Sequence, residues 1–241
     1  MEPAPVLLVH GIRSSSTMWR PVQPLLDAAG VPHAVLDLPG HGRRRGEEFT
    51  IAACREAIEE GMAALGGDAV VAGLSLGGFL ALNWAAQTVN PPLAVLAASC
   101  SVRPRGLPLW AYQGAAQLFA QLPDEGRAVN DLMARLVLGE DAATDLNQEV
   151  AFEVMVPALR AIAAVRPLED LARIEVPVWL VNGTWDHFRL EERAFLDAAQ
   201  CGRLVRIPRA GHIITAHQPE LFARVVAHLA RLAARSGRRE V

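Results

Sequence analysis

Residues 69–88 constrain this chain more than any other stretch. Ala69-Val70-Val71-Ala72 is apolar and runs into Gly73-Leu74-Ser75-Leu76-Gly77, a Gly-x-Ser-x-Gly pentapeptide. Gly78-Phe79-Leu80-Ala81-Leu82-Asn83-Trp84-Ala85 follows and reads as a buried helix. Strand, sharp turn, helix is the context in which such a serine is presented on a strained elbow. Side chains at 73 and 77 would crowd that turn, so glycine at both positions fits it. Alone, the pentapeptide would arise by accident in about one chain in ten of this size, given how common Gly and Ser are. The rest of the sequence must decide.

Composition sets the frame. At 241 residues, 51% hydrophobic and 20% charged, the chain has the make-up of one folded globular domain. A net charge of −3 offers nothing to recruit nucleic acid or an anionic membrane. Every cationic side chain other than histidine is arginine, which removes any lysine-dependent mechanism. Cys54, Cys100 and Cys201 show neither metal nor redox spacing, and an odd, unpatterned set of thiols fits a reducing cytoplasm. Met1 to Pro5 lacks a basic, apolar leader, so no signal peptide is expected. Residues 69–102 are uncharged, but Gly77-Gly78, Asn83, Asn90 and Pro91-Pro92 divide them into strand, helix, turn and strand. No membrane span is expected there.

Val6–Val9 is a continuous apolar run ending in His10-Gly11, as in a strand buried on both faces. Past a polar loop, Met18–Ala28 reads as a short helix ended by Gly30. His33–Leu38 is a second strand, stopped by Pro39-Gly40-His41-Gly42. Arg43-Arg44-Arg45 then reads either as a solvated loop or as an anion site. Thr50 caps a helix bearing Ile51, Cys54, Ile58, Met62 and Leu65 on one face, and Gly66-Gly67 ends it. Residues 69–74, 78–88 and 93–98 read as strand, helix and strand. From Val102 to Leu168 the pattern changes to amphipathic stretches at 109–121, 126–138 and 145–164 without a strand-like run. We read 102–168 as a helical cap inserted in a core formed by 1–101 and 169–241. Alternation resumes with a strand at Val176–Val181, a helix at 191–199, a strand at Arg203–Ile207 and a helix from Pro219 to Ala234.

Strands alternating with helices imply an α/β fold, a mostly parallel sheet of about six strands flanked by helices. Such sheets place their sites at the carboxyl ends of the strands. Just past those ends stand His10-Gly11, Asp37, Ser75, Ser99, Asp186 and His212.

A serine hydroxyl is a poor nucleophile near neutral pH and needs a base within hydrogen-bond reach, itself oriented by a third group. For an elbow serine the partners follow in the order acid, then histidine. Asp186, in Asn182-Gly183-Thr184-Trp185-Asp186, and His212, in Ala210-Gly211-His212, fit that order. The other histidines fit less well. His33 opens a strand at its wrong end, His228 sits inside the last helix, and His217 starts it. His187 adjoins Asp186 and is a candidate to line the pocket, as are His10 and His41 from their loops. A tetrahedral intermediate needs donors: the Leu76 N–H after the nucleophile and, from the loop after the first strand, the Ile12 N–H. Arg13 is either an anchor for a substrate carboxylate or a surface arginine.

These motifs together resemble the α/β-hydrolase-fold serine hydrolases of the small, capped type. They are His10-Gly11-Ile12 with Trp19 downstream, Asp37-Leu38-Pro39-Gly40-His41-Gly42, Gly73 to Gly78, Gly183-Thr184-Trp185-Asp186 and Gly211-His212. Length and cap are similar to the pimeloyl-carrier-protein methyl ester esterase group and to small carboxylesterases. The family's N-terminal hairpin has no counterpart, which leaves a six-stranded sheet with an exposed edge as a candidate contact surface. The His-Gly-Gly-Gly sequence of many lipases is absent, and serine at 75 excludes the carboxylate nucleophile of epoxide hydrolases and haloalkane dehalogenases.

The resemblance implies an ester hydrolase with Ser75, His212 and Asp186 as triad, Ile12 and Leu76 as oxyanion donors, and neither metal nor organic cofactor. Trp110, Tyr112 and Phe119 make the cap a candidate apolar acyl pocket, with Arg13, Trp110, Tyr112 and His187 as candidate substrate contacts. The expected partner is a small-molecule ester, and monomer and dimer are equally compatible with the sequence. Thioesterase, lactonase and carbon–carbon bond hydrolase share this chemistry, and a non-catalytic ligand-binding module is the remote alternative.

Overall fold

The computed structural model describes residues 2–106 and 150–236, with Gly114, Ala128, Leu132 and Arg135 between them. Six strands form one sheet: β1 (Val6–Val9), β2 (His33–Leu36), β3 (Val70–Leu74), β4 (Ala94–Ala98), β5 (Val178–Gly183) and β6 (Gly202–Ile207). Their order is β2-β1-β3-β4-β5-β6, and every pairing is parallel. The four strands β1, β3, β4 and β5 are buried along their whole length, which is why they read as unbroken apolar runs. The half-buried β2 and the partly exposed β6 form the two edges.

Strand alternation feeds two apolar layers. Leu7, Val9, Val71, Val95, Ala97 and Leu180 point to one face, against α2 (Ile51–Ala64), α3 (Leu76–Ala85), α5 (Pro167–Arg173) and α6 (Glu192–Ala198). Val6, Leu8, Val70, Ala72, Leu96 and Val181 point to the other, against α1 (Gln23–Ala28) and the closing helix α8 (Pro219–Ser236). α2 starts where Thr50 Oγ1 accepts the Ala53 N–H at 3.0 Å, the expected cap. Gly66 and Gly67, at φ +89° and +85°, end its run.

The structure redraws several elements. The single helix expected over Met18–Ala28 is a 3-10 turn at Ser16–Trp19, capped by Ser15, followed by α1. Pro21 and Pro24 lack the N–H groups a continuous helix would need. His217 closes a separate short helix, α7 (Ile214–His217), and Pro219 opens α8 anew. Of the stretch expected at 145–164, Val150–Val154 is not helical and α4 spans Met155–Ile162. α5 crosses the boundary placed at 168/169. The amphipathic stretches at 109–121 and 126–138 fall almost wholly outside the described residues, and Trp110, Tyr112 and Phe119 do so entirely. Among the described residues no helix is long and apolar enough to cross a membrane.

Candidate active site

Ser75 follows the last residue of β3 and precedes the first of α3, at φ +56° and ψ −115°. A non-glycine residue in that region carries strain, of the order of 1–3 kcal/mol. Its backbone is fixed from both sides: Ser75 N–H donates to Ala98 O at 2.8 Å, and Ser75 O accepts from Phe79 N–H at 3.1 Å. The flanking glycines are needed for contact rather than freedom. A Cβ on Gly73 would lie 2.2 Å from Gly77 O, and one on Gly77 would lie 2.2 Å from Val9 O. The elbow therefore packs backbone on backbone against the end of β1.

Three loops past the ends of β3, β5 and β6 bring Ser75, Asp186 and His212 together. His212 Nε2 lies 3.0 Å from Ser75 Oγ, and His212 Nδ1 lies 3.0 Å from Asp186 Oδ1. Asp186 Oδ1 also accepts the Phe188 N–H at 2.8 Å. A carboxylate only accepts, so the proton on this imidazole belongs on Nδ1. Nε2 then offers its lone pair to the Ser75 hydroxyl. Burial pushes the Asp186 carboxyl up, but His212, the Phe188 N–H and the Ser99 hydroxyl outweigh it and hold the group below its usual range. The Asp186 side chain is fully buried, His212 is 20% exposed and Ser75 7%, so access runs through the imidazole and hydroxyl.

The loop after β1 lies over the elbow. A Cβ on Gly11 would sit 3.5 Å from Ser75 Cβ. Among the described residues, neither the Ile12 N–H nor the Leu76 N–H meets a protein acceptor. The Ile12 side chain packs on Met155 and Leu159 of α4. Arg13, at φ +62°, donates its N–H to His41 Nε2 at 3.2 Å, and its carbonyl accepts from Ala151 N–H at 3.0 Å. Its guanidinium carbon stands 5.6 Å from the Phe152 ring centroid, and its buried Nε–H has no acceptor among the described residues.

His10 and His41 do not face the site as free side chains. They are buried braces between the loops after β1 and β2, with ring centroids 4.9 Å apart. His10 Nδ1 pairs with Gly11 O at 2.7 Å and Nε2 accepts the Leu38 N–H at 3.0 Å, which requires a neutral ring. Burial, then the neighbouring His41, lowers its pKa from 6.5 to about 3. Asp37 is buried too. It accepts Ser16 N–H at 2.7 Å and both the backbone N–H and Nε–H of Arg43. Burial raises its pKa, but those donors outweigh it and leave the carboxyl below its usual range. Arg44 pairs with Glu47 and Glu60, and Arg45 with Glu153. The arginine triplet is thus a set of separate ion pairs and not an anion site.

These shifts have one sign for stability. The unfolded chain protonates His10 near pH 6.5, whereas the folded one resists until about pH 3. Asp37 and Asp186, held below 3.8, contribute fully above that value and lose their contribution as pH falls through their folded values. Stability should therefore decline as pH drops below about 6.5, first through His10 and then through the carboxylates. Denaturant unfolding should give a lower midpoint at pH 5 than at pH 7.5, and equal midpoints would contradict this.

His187, with an exposed side chain, flanks His212 at a ring separation of 5.3 Å and stays 4.0 Å from Asp186 Oδ1. Two neighbours escaped the sequence reading. The Phe188 ring packs on the His212 ring at 4.6 Å, and its only sequence signal is its place two residues after Asp186. Ser99, just past β4, donates its hydroxyl to the His212 carbonyl at 2.8 Å. Its position at a strand end was visible; its partner was not.

The family model described as "Alpha/beta hydrolase family" matches residues 6–225. No curated protein matches the chain in sequence. Solved structures match along its length. One is a thermophilic esterase from Thermogutta terrifontis, 21% identical, TM-score 0.78, covering 95% of this chain and 90% of that one. A carboxylesterase structure from Nitrososphaera gargenis is 16% identical, with TM-score 0.83 and coverage of 97% and 92%. The enol-lactonase from Burkholderia xenovorans LB400 is 20% identical, with TM-score 0.68 and coverage of 95% and 92%. At such identities these likenesses speak for the fold alone. The family match over nine-tenths of the sequence carries more: this chain belongs to the alpha/beta hydrolase family.

Proposed function

We propose that this protein is a serine hydrolase that cleaves a carboxylic ester of a small or medium, largely apolar substrate through an acyl-enzyme. The observation that carries the reading is the hydrogen-bonded chain from Asp186 through His212 to Ser75 on a strained elbow. In this account His212 Nε2 takes the Ser75 proton as Oγ attacks the carbonyl carbon. Asp186 holds the Nδ1–H tautomer and stabilises the imidazolium. The Ile12 and Leu76 N–H groups, which lack acceptors among the described residues, take the oxyanion. His212 then delivers its proton to the departing alcohol, leaving acyl-Ser75. Water repeats the sequence, with His212 as base, and releases the acid. No lysine is present for a lysine-dependent route.

One observation refines the substrate. Arg13 sits beside the oxyanion donor, and among the described residues its buried Nε–H has no acceptor and its guanidinium no carboxylate partner. An ester bearing a carboxylate would satisfy it, since guanidinium groups bind carboxylates through paired N–H donors. The test compares p-nitrophenyl butyrate with the p-nitrophenyl monoester of glutaric acid. Turnover of the first is expected from the wild type, and its complete absence in folded protein contradicts the esterase reading. Arg13→Met should lower kcat/KM about tenfold for the acidic ester and little for the neutral one; an equal effect on both removes Arg13 from acid recognition.

A further inference from the structure

Ser99 is the fourth chemistry-bearing residue at the carboxyl edge of the sheet, and its conformation is unusual. It follows β4 directly, is fully buried, and stands at φ +53°, a region that non-glycine residues seldom occupy. Glycine would meet that backbone requirement without strain, yet the chain carries a hydroxyl there. The backbone is pinned by the Ser99 N–H, which donates to Val181 O at 2.9 Å. The hydroxyl is thereby aimed at the loops that hold the other two residues. It donates to the His212 carbonyl at 2.8 Å. It also counts among the groups that favour the charged form of Asp186, whose Oδ2 is buried and has no hydrogen-bond partner among the described residues.

Resting on the serine-hydrolase reading, we infer that Ser99 is a positioning residue whose single hydroxyl proton, seated on the His212 carbonyl, also turns to the unpartnered Asp186 Oδ2. One proton cannot make two full hydrogen bonds, so the two acceptors take it in turn. When it lies on the His212 carbonyl, it fixes the backbone from which the imidazole reaches Ser75. When it lies on Oδ2, it satisfies the carboxylate oxygen that faces away from the imidazole. The hydroxyl touches neither substrate nor reacting atoms; its effect passes through the pair. A buried carboxylate oxygen left without a donor is costly, which gives this hydroxyl a reason to occupy a strained position.

The test uses Ser99→Gly and Ser99→Ala in the full chain. Glycine suits the +53° backbone, so loss of the hydroxyl in Ser99→Gly is not confounded by folding. Both variants should lose about tenfold in kcat with little change in KM. The acid limb of kcat/KM should move up by roughly half to one pH unit. The sign follows because a carboxylate stripped of one donor holds the neighbouring imidazolium more tightly. The other titratable or charged groups that bear on the pair are His187, Cys100 and Arg189, and none of them is altered.

A Ser99→Gly protein with wild-type kcat and acid limb overturns the inference. A loss confined to Ser99→Ala overturns it too, because it would assign the effect to the backbone. The His212 imidazole titration, followed by NMR in wild type and Ser99→Gly, reads the same contact without turnover. An upward shift supports the role and an identical titration overturns it. Failure of the underlying reading shows elsewhere, as wild-type protein that neither turns over esters nor reacts at Ser75 with a fluorophosphonate.

Discussion

On the proposed serine-hydrolase reading, Ser75→Ala should lower ester hydrolysis by about three to six orders of magnitude while leaving the fold in place. The size follows from what is removed: in this kind of site nucleophile, base and orienting acid act as a unit, so losing one member forfeits nearly all of their joint contribution. What persists is whatever the Ile12 and Leu76 N–H groups supply to water's own attack. The fold is spared because alanine keeps the Cβ and can occupy the same φ of +56°, held by Ala98 O and Phe79 N–H. Only the 3.0 Å contact to His212 Nε2 disappears. Steady-state rates on p-nitrophenyl butyrate, with thermal melts of both proteins, check the pair of outcomes. A rate within tenfold of wild type would remove Ser75 from the chemistry.

Gly77→Ala should instead break the scaffold. Its Cβ would stand 2.2 Å from Val9 O and 2.6 Å from His10 O, both backbone atoms at the end of a buried strand. Neither can rotate aside, so β1 and α3 must separate. The same displacement would drag Gly11 and Ile12 away from Ser75. Overpacking against backbone costs about 3–5 kcal/mol, and at roughly 2–4 °C per kcal/mol for a chain of this size the melting temperature falls by about 6–20 °C. Gly46→Ala is the control, since its φ is not positive and no atom lies within 4 Å of the added carbon. It should melt within a degree or two of wild type. Equal behaviour of the two variants would contradict the close approach of elbow and strand.

Both outcomes rest on features that the sequence displays in different degrees. The parallel sheet was legible because β1, β3, β4 and β5 are buried on both faces and so appear as unbroken apolar runs. The convergence of Asp186 and His212 on Ser75 was legible because a doubly wound sheet delivers its strand-end residues to one edge, in an order the motif already prescribes. The region between Trp19 and Gln23 was misread as helix because apolar spacing continues through Pro21 and Pro24, whose missing N–H groups decide the matter. The roles of His10 and His41 could not be read, since a brace and a pocket histidine look alike until the Leu38 N–H and the Pro39 carbonyl are seen to occupy them. The arginines at 43–45 depended on partners as distant as Glu153. Ser99 was hidden for a similar reason: its acceptor, the His212 carbonyl, is contributed by a loop 113 residues away.

The assignment of Ser75 as an activated nucleophile is tested most directly by reaction with a fluorophosphonate, followed by intact-mass analysis and peptide mapping. A single adduct is predicted, on Ser75, absent from Ser75→Ala and formed at least a hundredfold more slowly in His212→Ala, consistent with loss of the general base. Folded wild-type protein that forms no adduct, or one labelled at a serine other than Ser75, would contradict the account.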